Sequence, residues 1–255
     1  TWYGRDLRRH DSGAPLLPDL LRALLEGTAV PWYRLFYMYP SGITRELVDL
    51  LASENRILPY LDMPIQHGSD RILTLMRRPE RRKTIVERAG WLREAIPGLT
   101  LRTTVIVGFP GESADDFSQM LELLEEIQFE RVGAFTYSVE EGTRAETLPD
   151  HVPQDIMDER LEELMELQRA ISFERNVMCV GRETDVLVDR PLNDDPEYVA
   201  VGRTAGQALD VDGVTHLIGS GVWNPGEFVR ARVVGAHDYD LVAEIVETTH
   251  QLTSS

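Results

Sequence analysis

Leu101–Ser113 reads Leu-Arg-Thr-Thr-Val-Ile-Val-Gly-Phe-Pro-Gly-Glu-Ser and continues into Ala-Asp-Asp-Phe. Six of its first seven residues are apolar or β-branched, which predicts a strand buried on both faces, as in a parallel sheet. Arg102 interrupts the run. A charge there requires a partner, because an unpaired buried charge is strongly disfavoured. Gly108-Phe-Pro-Gly111 turns the chain sharply. Ser113 is then suited to cap a helix that carries Asp115 and Asp116 in its first turn. A strand that ends in a glycine turn at a helix start is where α/β folds place ligands.

Outward from this point, apolar spacing predicts helices at Leu16–Leu25, Thr44–Ser53, Ile72–Met76, Ile85–Ala95, Phe117–Ile127 and Gln154–Asn176. Strand-like runs lie at Trp32–Tyr39, Ile57–Ile65 and Arg131–Ser138. The second contains two prolines and Asp62, and ends at Gln66-His67-Gly68-Ser69-Asp70. Alternating strands and helices predict an α/β fold with a parallel sheet, open or closed into part of a TIM-type barrel. Four strands are too few for the eight-unit barrel.

Near Cys179 the texture changes. Thr184–Asp189, Tyr198–Arg203, Leu209–Val211, Thr215–Ile218, Phe228–Ala236 and Leu241–Val246 are short, strand-like and separated by Gly, Asn, Asp and Pro. They predict a small all-β barrel of the oligonucleotide-binding (OB-like) type. The expected organisation is a first domain over 1–178, the barrel over 179–247 and a disordered polar tail over 248–255.

The chain of 255 residues holds 26 Lys and Arg against 43 Asp and Glu, a net charge of −17. A field of that sign disfavours nucleic acid as the main partner and favours a basic protein, although acidity also serves plain solubility. No apolar run approaches membrane-spanning length and no signal peptide opens the chain, so a cytoplasmic protein with no membrane partner is expected. One cysteine, Cys179, excludes an internal disulfide and any metal site built from cysteines of this chain alone.

Three ordered stretches carry a resemblance: Leu58-Pro-Tyr-Leu-Asp-Met-Pro-Ile-Gln-His-Gly-Ser-Asp-Arg-Ile-Leu, Arg102-Thr-Thr-Val-Ile-Val-Gly-Phe-Pro-Gly-Glu-Ser, and Phe135-Thr-Tyr-Ser-Val-Glu-Glu-Gly-Thr. Together they resemble the radical S-adenosylmethionine methylthiotransferases. Tyr37-Met-Tyr-Pro40 and Met76-Arg-Arg-Pro79 are similar to the branch that modifies a ribosomal protein rather than the branch that modifies tRNA. The resemblance implies a partial, open radical SAM barrel followed by a TRAM barrel. It implies S-adenosylmethionine and two 4Fe-4S clusters as cofactors. The implied reaction inserts a methylthio group at the β-carbon of an aspartate in small-subunit ribosomal protein twelve, a 5′-deoxyadenosyl radical having taken a hydrogen from that carbon. The chain departs from the family in lacking the CxxxCxxC loop and the three further cluster cysteines. Thiolates are obligatory ligands of such clusters, so the expectation is a fragment that supplies pocket walls, inactive alone and with no catalytic residue of its own.

The candidate S-adenosylmethionine contacts are Gln66, Ser69, Arg102, Thr104, Gly108 and Glu112. Gln66 either offers its amide to ribose hydroxyls or the methionyl group, or caps the following helix. Ser69 either touches ligand or is a helix cap. Arg102 either binds the methionyl carboxylate or pairs with Asp62 on the neighbouring strand. Thr104 shares the face of Arg102. Gly108 and Gly111 either let the backbone approach adenine or are plain turn glycines. Glu112 either meets ligand or is a helix-start acid. His67 is expected to be structural or solvent-facing, and Tyr137-Ser138 is placed near the adenine. Arg77, Arg78, Arg81, Arg82 and Lys83 form the one positive cluster. Two other functions stay open at this point: a tRNA methylthiotransferase, and a non-catalytic acidic module that binds a basic protein.

Overall fold

A computed structural model describes residues 2–7 and 10–247. The chain forms two compact units, Thr1–Gln168 and Arg169–Ser255. The tail expected over 248–255 lies outside the described residues.

The first unit runs α1 (Leu17–Gly27), β1 (Tyr33–Leu35), α2 (Arg45–Ser53), β2 (Ile57–Asp62), α3 (Asp70–Leu75), α4 (Arg82–Ala95), β3 (Thr100–Val107), α5 (Ala114–Ile127), β4 (Arg131–Thr136) and the start of α6 (Gln154–Val177). Its four strands pair in the order β1-β2-β3-β4, all parallel. This is the open α/β sheet expected from the alternating pattern. Short polar side chains set the starts of α2 and α5. Thr44 accepts from the amide of Leu47 at 3.2 Å, and Ser113 and Asp116 cap each other reciprocally at the head of α5.

β3 is not buried on both faces. Leu101, Thr103, Val105 and Val107 are buried, whereas Arg102, Thr104 and Ile106 are only half-buried. The first face packs into a core with Met120, Leu123 and Leu124 of α5. The second carries a guanidinium and a hydroxyl that keep partial contact with solvent, and so cannot form a sealed apolar layer. β1 is shorter than the aromatic run Trp32–Tyr39 suggests. Tyr37 takes a left-handed backbone with φ +56°, and the Met38 amide donates to the Asp62 carbonyl at 2.8 Å, which draws the chain off the ladder.

The second unit holds the end of α6 and β5 (Glu183–Pro191), β6 (Ala200–Thr204), β7 (Thr215–Ile218), β8 (Phe228–Ala236) and β9 (Leu241–Glu247). These strands close into a barrel in the order β5-β6-β7-β9-β8. Its interior is filled by Val186, Val188, Leu217, Val229, Ala231 and Ala243. The barrel has five strands rather than six. Leu209–Val211 instead belongs to a turn in which the Asp212 amide donates to the Ala208 carbonyl at 3.1 Å, and the Asp212 carboxylate accepts from the Ala208 amide at 2.8 Å. Apolar residues at a turn mimic a short strand in sequence. Among the described residues no helix is long and apolar enough to cross a membrane.

Candidate functional site

Parallel pairing brings the carboxyl ends of β1 to β4 to one end of the sheet, and four loops meet there. The loop after β2 is stitched to β3 by its backbone. Met63 N donates to Arg102 O at 2.8 Å, Gln66 N to Thr104 O at 2.9 Å and Ile106 N to Gln66 O at 2.9 Å. The Thr103 hydroxyl closes the gap, accepting from Ile65 N at 3.1 Å and donating to Met63 O at 2.8 Å. This stitching holds Gln66 in a left-handed conformation, φ +69°, which a residue with a Cβ adopts only when its surroundings impose it.

Beneath this loop lies a buried polar network. His67 and Glu112 are both fully buried and meet at 3.1 Å. The Nδ1 atom of His67 accepts from the Ser69 amide at 2.9 Å, so the ring proton belongs on Nε2 and is donated to Glu112. Glu112 also accepts from the Gly108 amide at 2.8 Å and from Arg160 at 2.7 Å. Asp116 gathers Ser69 Oγ at 2.6 Å, Arg71 Nε at 3.2 Å and the Ser113 amide at 2.9 Å. Burial pushes the Asp116 carboxyl up, but hydrogen bonds from Arg71, Ser113 and Ser69 outweigh it and hold the group well below the usual carboxylate range. The same bond to Asp116 raises Arg71.

Glu112 and Ser69 are therefore spent inside the protein. Glu112 pins the turn after β3 to α6 and to the β2 loop. Ser69 stands at the head of α3 without making a side-chain cap, because its hydroxyl is drawn to Asp116. His67 is buried in this network and does not face solvent. Gly108 has φ +77°, and a Cβ there would sit 2.1 Å from Met157 Cγ, so both the backbone conformation and the packing of α6 require glycine at this turn. Arg102 Nη1 donates to Asp62 at 2.7 Å and to Thr104 Oγ1 at 3.3 Å, the ion pair named above as one of its two alternatives.

A cavity of about 250 Å³ opens beside Gln66. Its walls are Gln66, Leu75, Met76, Ile106 and Phe109, with Arg77, Arg78, Arg144 and Ala145 completing them. Of the six candidates only Gln66 lines it. Met76, Arg77 and Arg78 belong to the Met-Arg-Arg-Pro motif singled out above. Ile106 and Phe109 belong to the Arg102–Ser113 stretch quoted above without being singled out there, and Arg144 and Ala145 carried no distinguishing signal; Arg144 sits in the connection between β4 and α6. Tyr137 stacks edge-on to Phe109, with ring centroids 5.4 Å apart, and its buried hydroxyl has no partner among the described residues. Burial, and then the charges of Glu146 and Glu140, push its phenol pKa up.

Residues 12–124 match the Radical SAM superfamily and residues 180–246 match the TRAM domain. The chain therefore carries a radical SAM domain followed by a TRAM domain. Coproporphyrinogen III oxidase (HemN) from Escherichia coli, a radical SAM enzyme, shares the fold with a TM-score of 0.50 over 84% of this chain and 50% of that one, at 17% identity. The chain is 46% identical over 97% of its length to the ribosomal protein uS12 methylthiotransferase RimO of Myxococcus xanthus, covering 50% of that protein. To the RimO of Geobacter sulfurreducens it is 44% identical over 96% of its length, covering 54%. It thus spans about half the length of the curated relatives it matches.

Proposed function

We propose that this chain serves methylthio transfer to ribosomal protein uS12, at the β-carbon of an aspartate, in the cytoplasm where ribosomes are built. The carrying observation is the 46% identity to a uS12 methylthiotransferase across both units. A domain organisation of 1–178 and 179–247 goes with this reading.

S-adenosylmethionine and 4Fe-4S clusters are the cofactors the reading brings, and the chain treats them differently. The clusters do not fit the residues present. Cys179 is the one cysteine, and among the described residues no group of three His, Cys, Asp or Glu could hold a metal. The cavity beside Gln66 does suit part of S-adenosylmethionine: apolar walls for a ring and an amide for hydroxyl groups. When bound, that molecule supplies the methyl group. Gln66, held in one conformation by β3, orients it. Ile106 and Phe109 exclude water. The His67–Glu112–Arg160 and Ser69–Asp116–Arg71 networks fix the loops that form the walls.

We assign recognition of the basic ribosomal protein to the acidic TRAM barrel. From Gly181 to Glu247 five arginines stand against thirteen acids, a net charge of −8. Arg230 and Arg232 are engaged with Glu183 and Asp185, and Arg203 with Asp189. The remaining acids offer a field that steers a basic partner and repels phosphates. That sign disfavours the tRNA-modifying alternative. Cross-linking of the chain to small ribosomal subunits, read by mass spectrometry, tests the assignment: cross-links to uS12 are expected, and cross-links confined to other ribosomal proteins would refute it.

A further inference from the structure

We infer that Arg77 and Arg144 hold a side-chain carboxylate of the protein substrate at the rim of the cavity, an assignment that rests on the uS12 reading above. The chain has far more acids than bases, yet its cavity is lined by three arginines and no acid. Other arginines around the sheet end are committed. Arg71 goes to Asp116, Arg82 to Glu122 and Glu126, Arg102 to Asp62, and Arg160 to Glu112. Arg81 donates to the Arg78 carbonyl at 2.8 Å, and the Arg78 guanidinium lies over the Tyr39 ring at 5.2 Å. Arg77 and Arg144 are different. Both are exposed, and neither guanidinium has an ion-pair partner among the described residues.

They reach the cavity from separate segments, the turn after α3 and the connection between β4 and α6. Arg77 sits at φ +56°, its amide tied to Thr74 O at 3.0 Å. Glu140, Glu141 and Glu146 are the acids nearest to Arg144 in sequence, and none pairs with it. Glu146 instead accepts from the Gly142 amide at 2.8 Å. Two guanidiniums beside the apolar walls of Leu75, Met76, Ile106 and Phe109 define a site for an anion on a small body. A pair of guanidiniums offers a carboxylate charge-assisted hydrogen bonds, which are stronger than those between neutral groups. The small volume favours a short carboxylate side chain over a polyphosphate.

Saturation-transfer NMR on the full chain tests this with two probes, N-acetyl-L-aspartate N-methylamide and its asparagine counterpart. The aspartyl probe should give a signal about threefold or more above the asparagine probe, by the extra strength of a charge-assisted pair. In the R77Q/R144Q double variant it should fall to the asparagine level, while R77K/R144K and the remote R22Q retain it. Equal signals in the unaltered chain, or survival of the difference in R77Q/R144Q, would overturn the assignment. So would inorganic phosphate displacing the aspartyl probe more effectively than unlabelled aspartyl probe does. Binding of uS12 to the same variants is measured in parallel. If the aspartyl difference holds but the unaltered chain does not bind uS12, the functional reading fails and the carboxylate site stands.

Discussion

The carboxylate of Asp62 accepts from Arg102 on one oxygen at 2.7 Å and from the backbone amide of Tyr37 on the other at 3.0 Å. One buried acid thus joins β2, β3 and the loop that leaves β1. Removing one partner strands the other in a half-buried setting, so Asp62→Ala should lower stability by about 3 kcal/mol in urea unfolding. Arg102→Ala should cost a similar amount, and the double variant less than the sum. Full additivity would contradict the coupling of the two side chains.

Asp116 makes stability depend on pH. Its folded pKa lies below the ordinary value of 3.8, so its contribution is complete above that value and is lost as pH falls below about 4. Asp116→Asn should lower stability at pH 7 by about 2 kcal/mol, through lost charge-assisted hydrogen bonds. The variant should also show a shallower fall between pH 5 and 3. Parallel acid limbs for the two proteins would contradict this.

Gly108 is held by two separate constraints, a positive φ and the nearness of Met157. Gly108→Ala should therefore cost about 2 kcal/mol or more, roughly 1 of it from the left-handed backbone. In a Met157→Ala background the same substitution should cost only the backbone part. An undiminished cost there would mean that the contact with α6 is slack.

Anaerobic reconstitution with iron and sulfide should leave the purified chain without a cluster, because Cys179 is its sole thiolate. Iron and acid-labile sulfide assays read the outcome. Four irons per chain with the matching absorption would contradict it.

The architecture was legible in the sequence because α5 and most of the barrel strands follow simple periods, whereas the alternating burial of β3 was hidden by its run of β-branched residues. Thr215–Ile218 and Phe228–Ala236 occupy the ranges read from alternation and turn residues. The site was less legible. Glu112 and Ser69 stand at helix starts in sequence, and only the fold places His67, Arg160 and Asp116 against them. Gly108 looks like any ligand-approach glycine until Met157, 49 positions later in the chain, is found filling its open side. Arg144 lies in an irregular connection whose composition gives no hint of the cavity. Such pairings over long sequence separations are set by topology, which a local pattern does not encode.

The central claim is that this chain meets a ribosomal protein and not tRNA. Its most direct test is equilibrium binding of the full chain to purified uS12 and to tRNA at matched ionic strength, because added salt weakens both and alone separates nothing. With a barrel of net charge −8, uS12 should bind at least about tenfold more tightly than tRNA. Tighter binding of tRNA would contradict the account.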